Sequence, residues 1–305
     1  MASTVKIVFF GTGGSWPSPE RNVMSLGIQV DGDVLLFDCG EGTQRQMMRT
    51  NVSFMKVKKI FITHFHGDHF LGIAGLIQTM VLNDRTEPLE IYGPPGTVKI
   101  LTSYLSAGYY SLSFPILLHE VESGDVLDFG DYIIRAIRAR HPVYTLSYCF
   151  KEKDIPRIDR EKADKLGLDS STLEILRRKG RIEHNGRIIT IDEVAGGIRK
   201  GRKIVYSGDT APFEEMVEFA RDADILIHEA TADSSLEEKA NQYGHSTARQ
   251  AAEIAKKAGV RKLMLVHISP RYKNPKVLLE EAREIFPEVV VPSDLDEFVV
   301  KVRRD

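Results

Sequence analysis

The sequence predicts an α/β or α+β domain in which sheets are layered against helices. The first half contains short runs rich in Val, Ile and Phe that are bounded by Gly, Asp or Asn, as strands are. Two of these runs face each other across Asp31-Gly32-Asp33, which is a hairpin signal. Helical patterns fall between the later strand patterns, and this alternation is typical of layered domains. The 305 residues suit one large domain or two ordinary ones with a substantial core.

Ten segments are predicted as strands because β-branched and aromatic residues dominate them. In chain order they are Val5–Phe10, Ser25–Val30, Val34–Phe37, Lys59–Thr63, Leu89–Tyr92, Tyr132–Ala139, Tyr144–Phe150, Lys203–Ser207, Ile225–Glu229 and Lys262–His267. The predicted helices are Gly72–Leu82, Thr97–Ala107, Pro212–Arg221, Ser246–Ala258 and Pro275–Phe286. Thr210 and Ser246 are predicted to start two of these helices, because hydroxyl side chains cap helix N-termini.

The composition describes a globular protein, with 42% hydrophobic and 28% charged residues. Its 41 Lys and Arg against 43 Asp and Glu give a net charge of -2, which excludes a binder of nucleic acid that works by overall positive charge. Two cysteines cannot build a disulfide framework, so we expect a cytoplasmic protein. The start, MASTVKIVFF, lacks a basic leader, and histidines and an aspartate interrupt the apolar stretch 60–82, so neither a targeting segment nor a membrane span is expected.

One segment departs from the average charge. Residues 151–187 hold 11 basic and 8 acidic residues, and residues 176–187 hold five basic residues against one acid, a local net charge of +4. Apolar residues are sparse there, so the segment is predicted to project from the core. The chain can therefore offer a basic surface in one place although its net charge is close to zero.

The strongest chemical signal is the run Thr63-His64-Phe65-His66-Gly67-Asp68-His69, directly after a predicted strand. An extended backbone points His64 and His66 the same way because they are two residues apart. Gly67 permits a turn, after which Asp68 and His69 can aim at the same point. Three imidazoles and a carboxylate suit Zn²⁺ or a similar divalent ion. We therefore predict a metal site here rather than a solvated polar loop.

These four side chains fit two ions better than one, because they cannot all reach one centre from so tight a loop. A two-metal site needs further ligands from elsewhere in the chain. His141, Asp209 and His267 each follow an apolar run. They are the candidates, since the carboxyl ends of strands are where α/β sites gather.

The motif His64-x-His66-x-Asp68-His69, with His141, Asp209 in Ser-Gly-Asp-Thr, and His267, resembles the metallo-β-lactamase superfamily. Four further segments narrow the resemblance to the short-form ribonuclease Z family: FFGTGGS (9–15), FDCGEGTQR (37–45), His228-Glu229-Ala230-Thr231 and His245-Ser246-Thr247. The resemblance extends from about Lys6 to Tyr272. It implies a single domain over 1–305, a four-layer αββα sandwich with an inserted arm at 151–200.

The resemblance also implies the ligands and the reaction. One zinc would be held by His64, His66 and His141, a second by Asp68, His69 and His267, and both by Asp209; Mn²⁺ or Fe²⁺ also suits such sites. The implied enzyme removes 3′ trailers from pre-tRNA. A metal-activated water attacks the phosphodiester after the discriminator nucleotide, leaving a tRNA 3′-hydroxyl and a trailer 5′-phosphate.

The same family assigns the proton transfers. Asp68 is its proton acceptor, and His245, oriented by Glu229, protonates the leaving 3′-oxygen. A carboxylate beside an imidazole fixes its tautomer and keeps it protonated near neutrality. His228 lies inside an apolar strand pattern and Cys39 follows another, so both are predicted to be structural.

Three regions are predicted to contact RNA. Arg21 and Asn22 match the family's PxKxRN loop, which reads the tRNA 3′ end, although Pro19 stands where the family has Lys. Arg271 follows His267 closely and can grip a phosphate or make a local hydrogen bond. In the arm, Gly167–Gly180 lacks the family's Gly-Pro-rich motif, and the predicted phosphate contacts are Arg177, Arg178, Lys179 and Arg181.

Three hypotheses of function follow. The leading one is the pre-tRNA endoribonuclease, for which the resemblance implies a homodimer whose arms each serve the partner's active site. The alternative is a small-molecule hydrolase of the same superfamily, a cyclic-nucleotide phosphodiesterase or a thioesterase, which would not need a basic arm. The third is an RNA-binding module with structural metals. Structural zinc sites are closed and rich in thiolates, which argues against this third hypothesis.

Overall fold

Apolar side chains alternate between the two faces of the strands, and this alternation explains why the protein is built in layers. The computed structural model describes residues 4–109 and 111–302. In the first strand Ile7 and Phe9 face one apolar cluster while Val8 and Phe10 face another. Because successive side chains of a strand point to opposite faces, both faces of such a strand must be covered.

Eighteen strands lie in the described residues. They are β1 (Val5–Gly11), β2 (Ser25–Val30), β3 (Asp33–Phe37), β4 (Val57–Phe61), β5 (Leu89–Gly93), β6 (Ile116–Glu120), β7 (Val126–Asp128), β8 (Tyr132–Arg138), β9 (Leu146–Glu152), β10 (Ile155–Ile158), β11 (Arg181–His184), β12 (Arg187–Thr190), β13 (Ala195–Arg199), β14 (Lys203–Tyr206), β15 (Ile225–Glu229), β16 (Leu263–Val266), β17 (Val289–Val290) and β18 (Glu297–Val299).

The helices lie mostly between strands. They are α1 (Thr43–Met47), α2 (Gly67–Phe70), α3 (Gly72–Leu82), α4 (Thr97–Leu105), α5 (Arg160–Lys165), α6 (Ser170–Lys179), α7 (Glu214–Ala220), α8 (Glu237–Gln242), α9 (Ala248–Ala258) and α10 (Lys276–Arg283). None of the helices in the described ranges is both long and apolar enough to cross a membrane.

Two seven-stranded mixed sheets form the centre. One has the order β18-β1-β2-β3-β4-β5-β6 and the other the order β17-β16-β15-β14-β9-β8-β7. In each, one half is antiparallel and the other half, β3 to β6 or β14 to β17, runs parallel. The carboxyl ends of the parallel strands meet at one edge, where loops can bring side chains together.

Three apolar clusters account for four layers. The cluster between the sheets includes Phe37, Phe61 and Tyr148, whose rings are in contact. A second cluster joins the outer face of the first sheet to α3 and α4, and a third joins the outer face of the second sheet to α7, α9 and α10. The predicted αββα sandwich is therefore confirmed.

The inserted arm has a core of its own. β10 pairs with β13 as a two-stranded stalk, and β11 and β12 form a hairpin beside α5 and α6. Six buried side chains pack together inside it: Ala163, Leu168, Leu173, Leu176, Ile189 and Val194. β9 extends to Glu152 within the second sheet, so the first two residues of the predicted 151–200 segment lie in the sandwich.

The two predicted helix starts are wrong. α9 is capped by Thr247, whose hydroxyl accepts from the Gln250 amide at 3.2 Å while the Gln250 side chain accepts from Thr247 N–H at 3.0 Å. The Ser246 hydroxyl instead donates to the Thr210 carbonyl at 2.7 Å. α7 begins only after Phe213. Both hydroxyl residues are used to fasten loops at the site described below.

Candidate active site

Seven predicted ligands come together where strands of both sheets end. They are His64 and His66 after β4, Asp68 and His69 on the single turn of α2, His141 after β8, Asp209 after β14 and His267 after β16. The first sheet supplies four of them and the second sheet three. The turn predicted at Gly67 is the single turn of α2, and it brings the His69 ring to 4.2 Å from the His64 ring, centroid to centroid.

The seven side chains form two groups of closely spaced ligand atoms. One consists of His64, His66, His141 and Asp209, and the other of Asp68, His69 and His267, with all atoms of a group within 4.8 Å of one another. A third group of the same spacing joins Asp209 and His267 to His245. Asp209 also reaches the second group, because its Oδ1 lies 3.3 Å from His69 Nε2 and its Oδ2 lies 3.2 Å from His267 Nε2. The two groups therefore share one carboxylate.

Hydrogen bonds through Nδ1 orient four of the five imidazoles. His64 Nδ1 lies 3.0 Å from Thr63 Oγ1, His69 Nδ1 2.8 Å from Asp38 Oδ2, His141 Nδ1 2.8 Å from the Gly244 carbonyl and His267 Nδ1 2.9 Å from Thr231 Oγ1. With Nδ1 donating to the protein, each ring keeps its Nε2 lone pair for the cluster. Such outer hydrogen bonds are typical of metal-binding histidines.

Buried nitrogen and oxygen atoms without a hydrogen-bond partner indicate the kind of ligand that the cluster can bind. Six buried side-chain atoms among the described residues make no hydrogen bond, and three of them lie in the cluster: His64 Nε2, His69 Nε2 and Asp209 Oδ1. A buried polar atom in this condition costs free energy unless it binds something. Nitrogen and carboxylate donors in two groups that share an aspartate fit divalent cations.

The titration states also suit cations. Burial lowers the pKa of His64, His66 and His141, so these imidazoles are neutral near pH 7. Burial opposes ionisation of Asp209, but the adjacent His267 and His69 hold its pKa well below the usual range. Burial likewise disfavours the charged form of His69, yet Asp209 and Asp38 raise its pKa well above the usual value. Metal ligands must be deprotonated, and a cation would replace the proton of His69.

Asp38 is a supporting residue that the sequence reasoning missed. It is fully buried, and its carboxylate accepts from Thr63 N–H at 2.7 Å, Tyr206 Oη at 2.7 Å and His69 Nδ1 at 2.8 Å. Its backbone has φ +54°, a left-handed conformation that non-glycine residues seldom adopt. The signal was present in the FDCGEGTQR motif, but nothing local connects residue 38 with residue 69.

Replacing Asp38 with Asn should weaken metal binding about 10- to 100-fold, the range for outer partners of ligating histidines. One of its acceptor oxygens becomes an NH₂ group facing donors, so the His69 tautomer is no longer fixed. Titration of the metal-free protein with Zn²⁺ against a competing chelator measures the affinity. Asp33→Asn, at an exposed aspartate on β3, serves as the control. Equal affinities for the two variants would contradict the role given to Asp38.

His245 and Glu229 form a hydrogen-bonded pair beside the cluster. His245 Nδ1 donates to Glu229 Oε1 at 2.8 Å, and Glu229 also accepts from Thr210 N–H and the Thr231 hydroxyl. Burial disfavours the charged imidazole, but the Glu229 carboxylate prevails and raises the pKa of His245 to about 9. This leaves a protonated imidazole whose Nε2 is available to donate. Thr231, also missed, bonds both Glu229 and His267 and so links the pair to the metal ligands.

The glycine-rich loop after β1 packs against the cluster. A Cβ at Gly14 would come within 2.4 Å of the His267 ring, so only glycine fits there. The next residue, Ser15, donates its N–H to Asp68 Oδ2 at 2.7 Å and has φ +70°. His228 and Cys39 are buried, and His228 Nδ1 bonds the backbone carbonyl of Glu229.

The residues predicted to contact RNA have different surroundings. The Arg21 guanidinium donates to Thr12 Oγ1 and to the Pro292 carbonyl, each at 2.6 Å, and Asn22 Nδ2 donates to the Glu41 carbonyl at 2.9 Å. Arg271 is exposed near His245, with Nε bonded to Ser269 Oγ at 3.2 Å. On the arm, Arg177, Lys179 and Arg181 are exposed, whereas the side chain of Arg178 lies outside the described part of the structure. Their contacts with RNA stay predictions.

Comparisons with known proteins extend over the whole chain. The family described as Anti-Pycsar protein Apyc1 matches residues 5–283. Ribonuclease Z of Thermoplasma acidophilum is 51% identical over 305 residues, which cover 100% of this chain and 99% of that protein. Ribonuclease Z of Methanothermobacter thermautotrophicus is 48% identical, with 97% of each chain covered.

Solved structures agree with the fold. Human tRNase Z, short form, has a TM-score of 0.73 and 28% identity, and the match covers 97% of this chain and 100% of that chain. The metallo-β-lactamase fold protein YhfI from Bacillus subtilis has a TM-score of 0.72, with 98% and 100% covered. At 19% identity this second likeness shows the fold alone.

Proposed function

The chain belongs to the ribonuclease Z family, as well as to the family described as Anti-Pycsar protein Apyc1, and we propose that its His/Asp cluster is where it cleaves 3′ trailers from pre-tRNA. The observation that carries this proposal is the joint arrangement of two ligand groups sharing Asp209 and an imidazole acid paired with Glu229. Two-metal phosphodiester hydrolysis can use all of these parts.

Two zinc ions are the proposed cofactors, one on His64, His66 and His141 and the other on Asp68, His69 and His267, with Asp209 shared. Bound divalent cations would lower the pKa of water and neutralise negative charge that develops on the phosphoryl oxygens. His/Asp ligands also suit Mn²⁺ or Fe²⁺, so metal analysis of the purified protein decides the identity.

The chain's own residues handle the protons. The Asp68 carboxylate accepts from the Ser15 N–H and lies beside the His267 ring. In this position it can accept the proton of the attacking water. As the new bond to phosphorus forms, the bond from phosphorus to the 3′-oxygen breaks and its electron pair goes to that oxygen. His245 donates a proton there from Nε2, while Glu229 holds Nδ1 and stabilises the charged ring.

The direct test uses end-labelled pre-tRNA and zinc-loaded protein. We expect one cut after the discriminator nucleotide, yielding a tRNA 3′-hydroxyl and a trailer 5′-phosphate. An intact pre-tRNA together with rapid hydrolysis of a cyclic nucleotide or a thioester would reject the endoribonuclease and favour the alternative hydrolase.

The arm is the proposed exosite for tRNA. It has its own apolar core and presents Arg177, Lys179 and Arg181 at its surface. Phosphate contacts of such residues release counterions, so their contribution falls as salt rises. A small phosphodiester would reach the cluster without using the arm.

Replacing Asp159–Val194 with Asn-Gly should raise the KM for pre-tRNA roughly 10- to 100-fold at moderate salt, because several phosphate contacts are lost. The stalk pairing of Ile158 with Ala195 is retained, and the arm core is separate from the three clusters of the sandwich. Hydrolysis of bis(p-nitrophenyl) phosphate should stay within about twofold, since the cluster is untouched. An unchanged KM for pre-tRNA would show that the arm does not bind it.

A homodimer is proposed on the family resemblance, with each arm serving the partner's site. Mixing the armless variant with His245→Ala tests this arrangement. One chain then has an intact site and the other an intact arm, and recovered pre-tRNA cleavage is expected only if arms act between subunits. Light scattering gives the oligomeric state directly. A cytoplasmic location is proposed with it, in keeping with two buried free cysteines.

A further inference from the structure

A cleft of about 280 Å³ opens beside the proposed acid. His245 lines it together with two residues bonded near the cluster, Ser15 and Thr231. Its size is at the low end for small-ligand pockets, so it suits one nucleoside rather than a length of strand. Of the residues predicted from the sequence to contact RNA, Arg271, a predicted phosphate contact, lies in its lining.

Two exposed aromatic side chains line this cleft. Trp16 is 61% exposed and Tyr243 is 59% exposed. Among the described residues, three Trp, Tyr or Phe side chains are exposed to this extent, and the third is Tyr109. Aromatic rings exposed to solvent at a cleft are an apolar surface typical of binding sites, and nucleobases stack on such rings.

The backbone places both aromatic residues close to the proposed reacting groups. Trp16 directly follows Ser15, whose N–H binds Asp68, and its own N–H binds the Gly14 carbonyl at 2.9 Å. Tyr243 ends α8 and lies two residues before His245, whose N–H bonds the Ala240 carbonyl at 2.9 Å. Trp16 is therefore next to the residue that binds Asp68, the proposed proton acceptor, and Tyr243 is close in the chain to His245, the proposed proton donor.

The charges of the cleft match a nucleotide. Lys239 and Arg271 are exposed basic residues in its lining. They can bind a phosphate next to a stacked base, and base stacking and phosphate binding together are the common mode for single-stranded ends. An apolar peptide or lipid would leave these cations without a partner.

We propose that this cleft binds the last nucleotide of the mature tRNA, the discriminator, with its base stacked against Trp16 and Tyr243. The inference rests on the proposed function. His245 protonates the leaving 3′-oxygen, and that oxygen belongs to the discriminator nucleotide, so the pocket lined by His245 receives that nucleotide rather than the trailer. Because every base has a π-face, the site accepts all four bases and favours the larger purines.

Trp16 is the only tryptophan of the chain, so its fluorescence reports on the cleft without any cleavage. The probe is an acceptor-stem RNA hairpin that ends at the discriminator, titrated into zinc-loaded protein. We expect quenching by this hairpin, and loss of quenching with roughly tenfold weaker binding when the discriminator is abasic. Tyr243→Ala should weaken binding similarly and Tyr243→Phe should not. Equal quenching by the two hairpins would overturn the proposal.

Cleavage kinetics separate this inference from the function on which it rests. Trp16→Ala should lower kcat/KM for pre-tRNA about tenfold, Trp16→Phe should restore most of it, and the loss should vanish for a pre-tRNA with an abasic discriminator. If instead the loss vanishes for an abasic first trailer nucleotide, the cleft holds the trailer and the proposal is wrong. Normal cutting with unchanged Trp16→Ala kinetics overturns only the cleft assignment. A wild-type protein that leaves pre-tRNA uncut overturns the proposed function, and the cleft assignment with it.

Discussion

Asp209→Asn is expected to lower pre-tRNA cleavage about 10³-fold or more. Metal chemistry contributes several kcal/mol of transition-state stabilisation, and each 1.4 kcal/mol is a factor of ten. Asp209 is the one residue within reach of both ligand groups, and its carboxylate is buried among His64, His69 and His267. An amide keeps the shape of this side chain but loses the negative charge that two cations would share.

Metal content measured by elemental analysis should fall along with activity, from the proposed two ions per chain to one or fewer. Asp224→Asn provides the matched control, because Asp224 is a buried carboxylate at the opposite end of β15, where it accepts from Lys203 N–H. This control should lose some stability yet keep its metal. Full metal content in Asp209→Asn would disprove the shared-ligand arrangement.

His245→Ala should slow cleavage about 10²- to 10⁴-fold while leaving the metal content unchanged, which is the range for loss of a general acid. His245 is not in direct hydrogen bonding with the cluster carboxylates, as its Nδ1 lies 4.0 Å from Asp209 Oδ2 and 2.8 Å from Glu229 Oε1. His119→Ala, at a partly exposed histidine beside Glu90, is the control and should cleave within about twofold of wild type.

The pH profile distinguishes an acid from a merely structural histidine. An acid works only when protonated, so cleavage should decline as the pH rises through about 9, the pKa of His245. Glu229→Gln removes the charge that raises this pKa while burial, which lowers it, remains. The alkaline limb should then move down by roughly 1 to 3 pH units, as expected for loss of an adjacent opposite charge. A limb that does not move would exclude His245 as the proton donor.

The strand predictions succeeded where the information is local, and the predicted ligands from one short run also lie together in the structure. β2 and β15 have the predicted bounds, because their apolar runs end at clear polar or glycine boundaries. The prediction that the side chains of the run from His64 to His69 lie together needed only the geometry of one strand and one turn. His141 and His267 are single residues after strands, and it was the family resemblance, not their spacing, that joined them to the others.

The supporting residues could not be predicted because their roles depend on contacts between distant segments. Asp294 accepts from Thr12 Oγ1 and from the Asn22 N–H, which are 282 and 272 positions away along the chain. β18, which pairs with β1, is three residues long. The arm core was missed for a different reason. Its six apolar residues are scattered among charges, and they gather only when α5, α6 and the hairpin fold together.

The division of the ligands between the two sheets has a mechanical consequence. Asp68 and His267 lie 199 positions apart along the chain, and His66 and His141 lie 75 apart. Ions held at this edge would act as non-covalent cross-links that close long loops, and such links restrict the unfolded chain more than short ones do. Ligands that bind only the folded state also shift the folding equilibrium. Scarcity of the metal would therefore lower the stability of the folded chain as well as stop its catalysis.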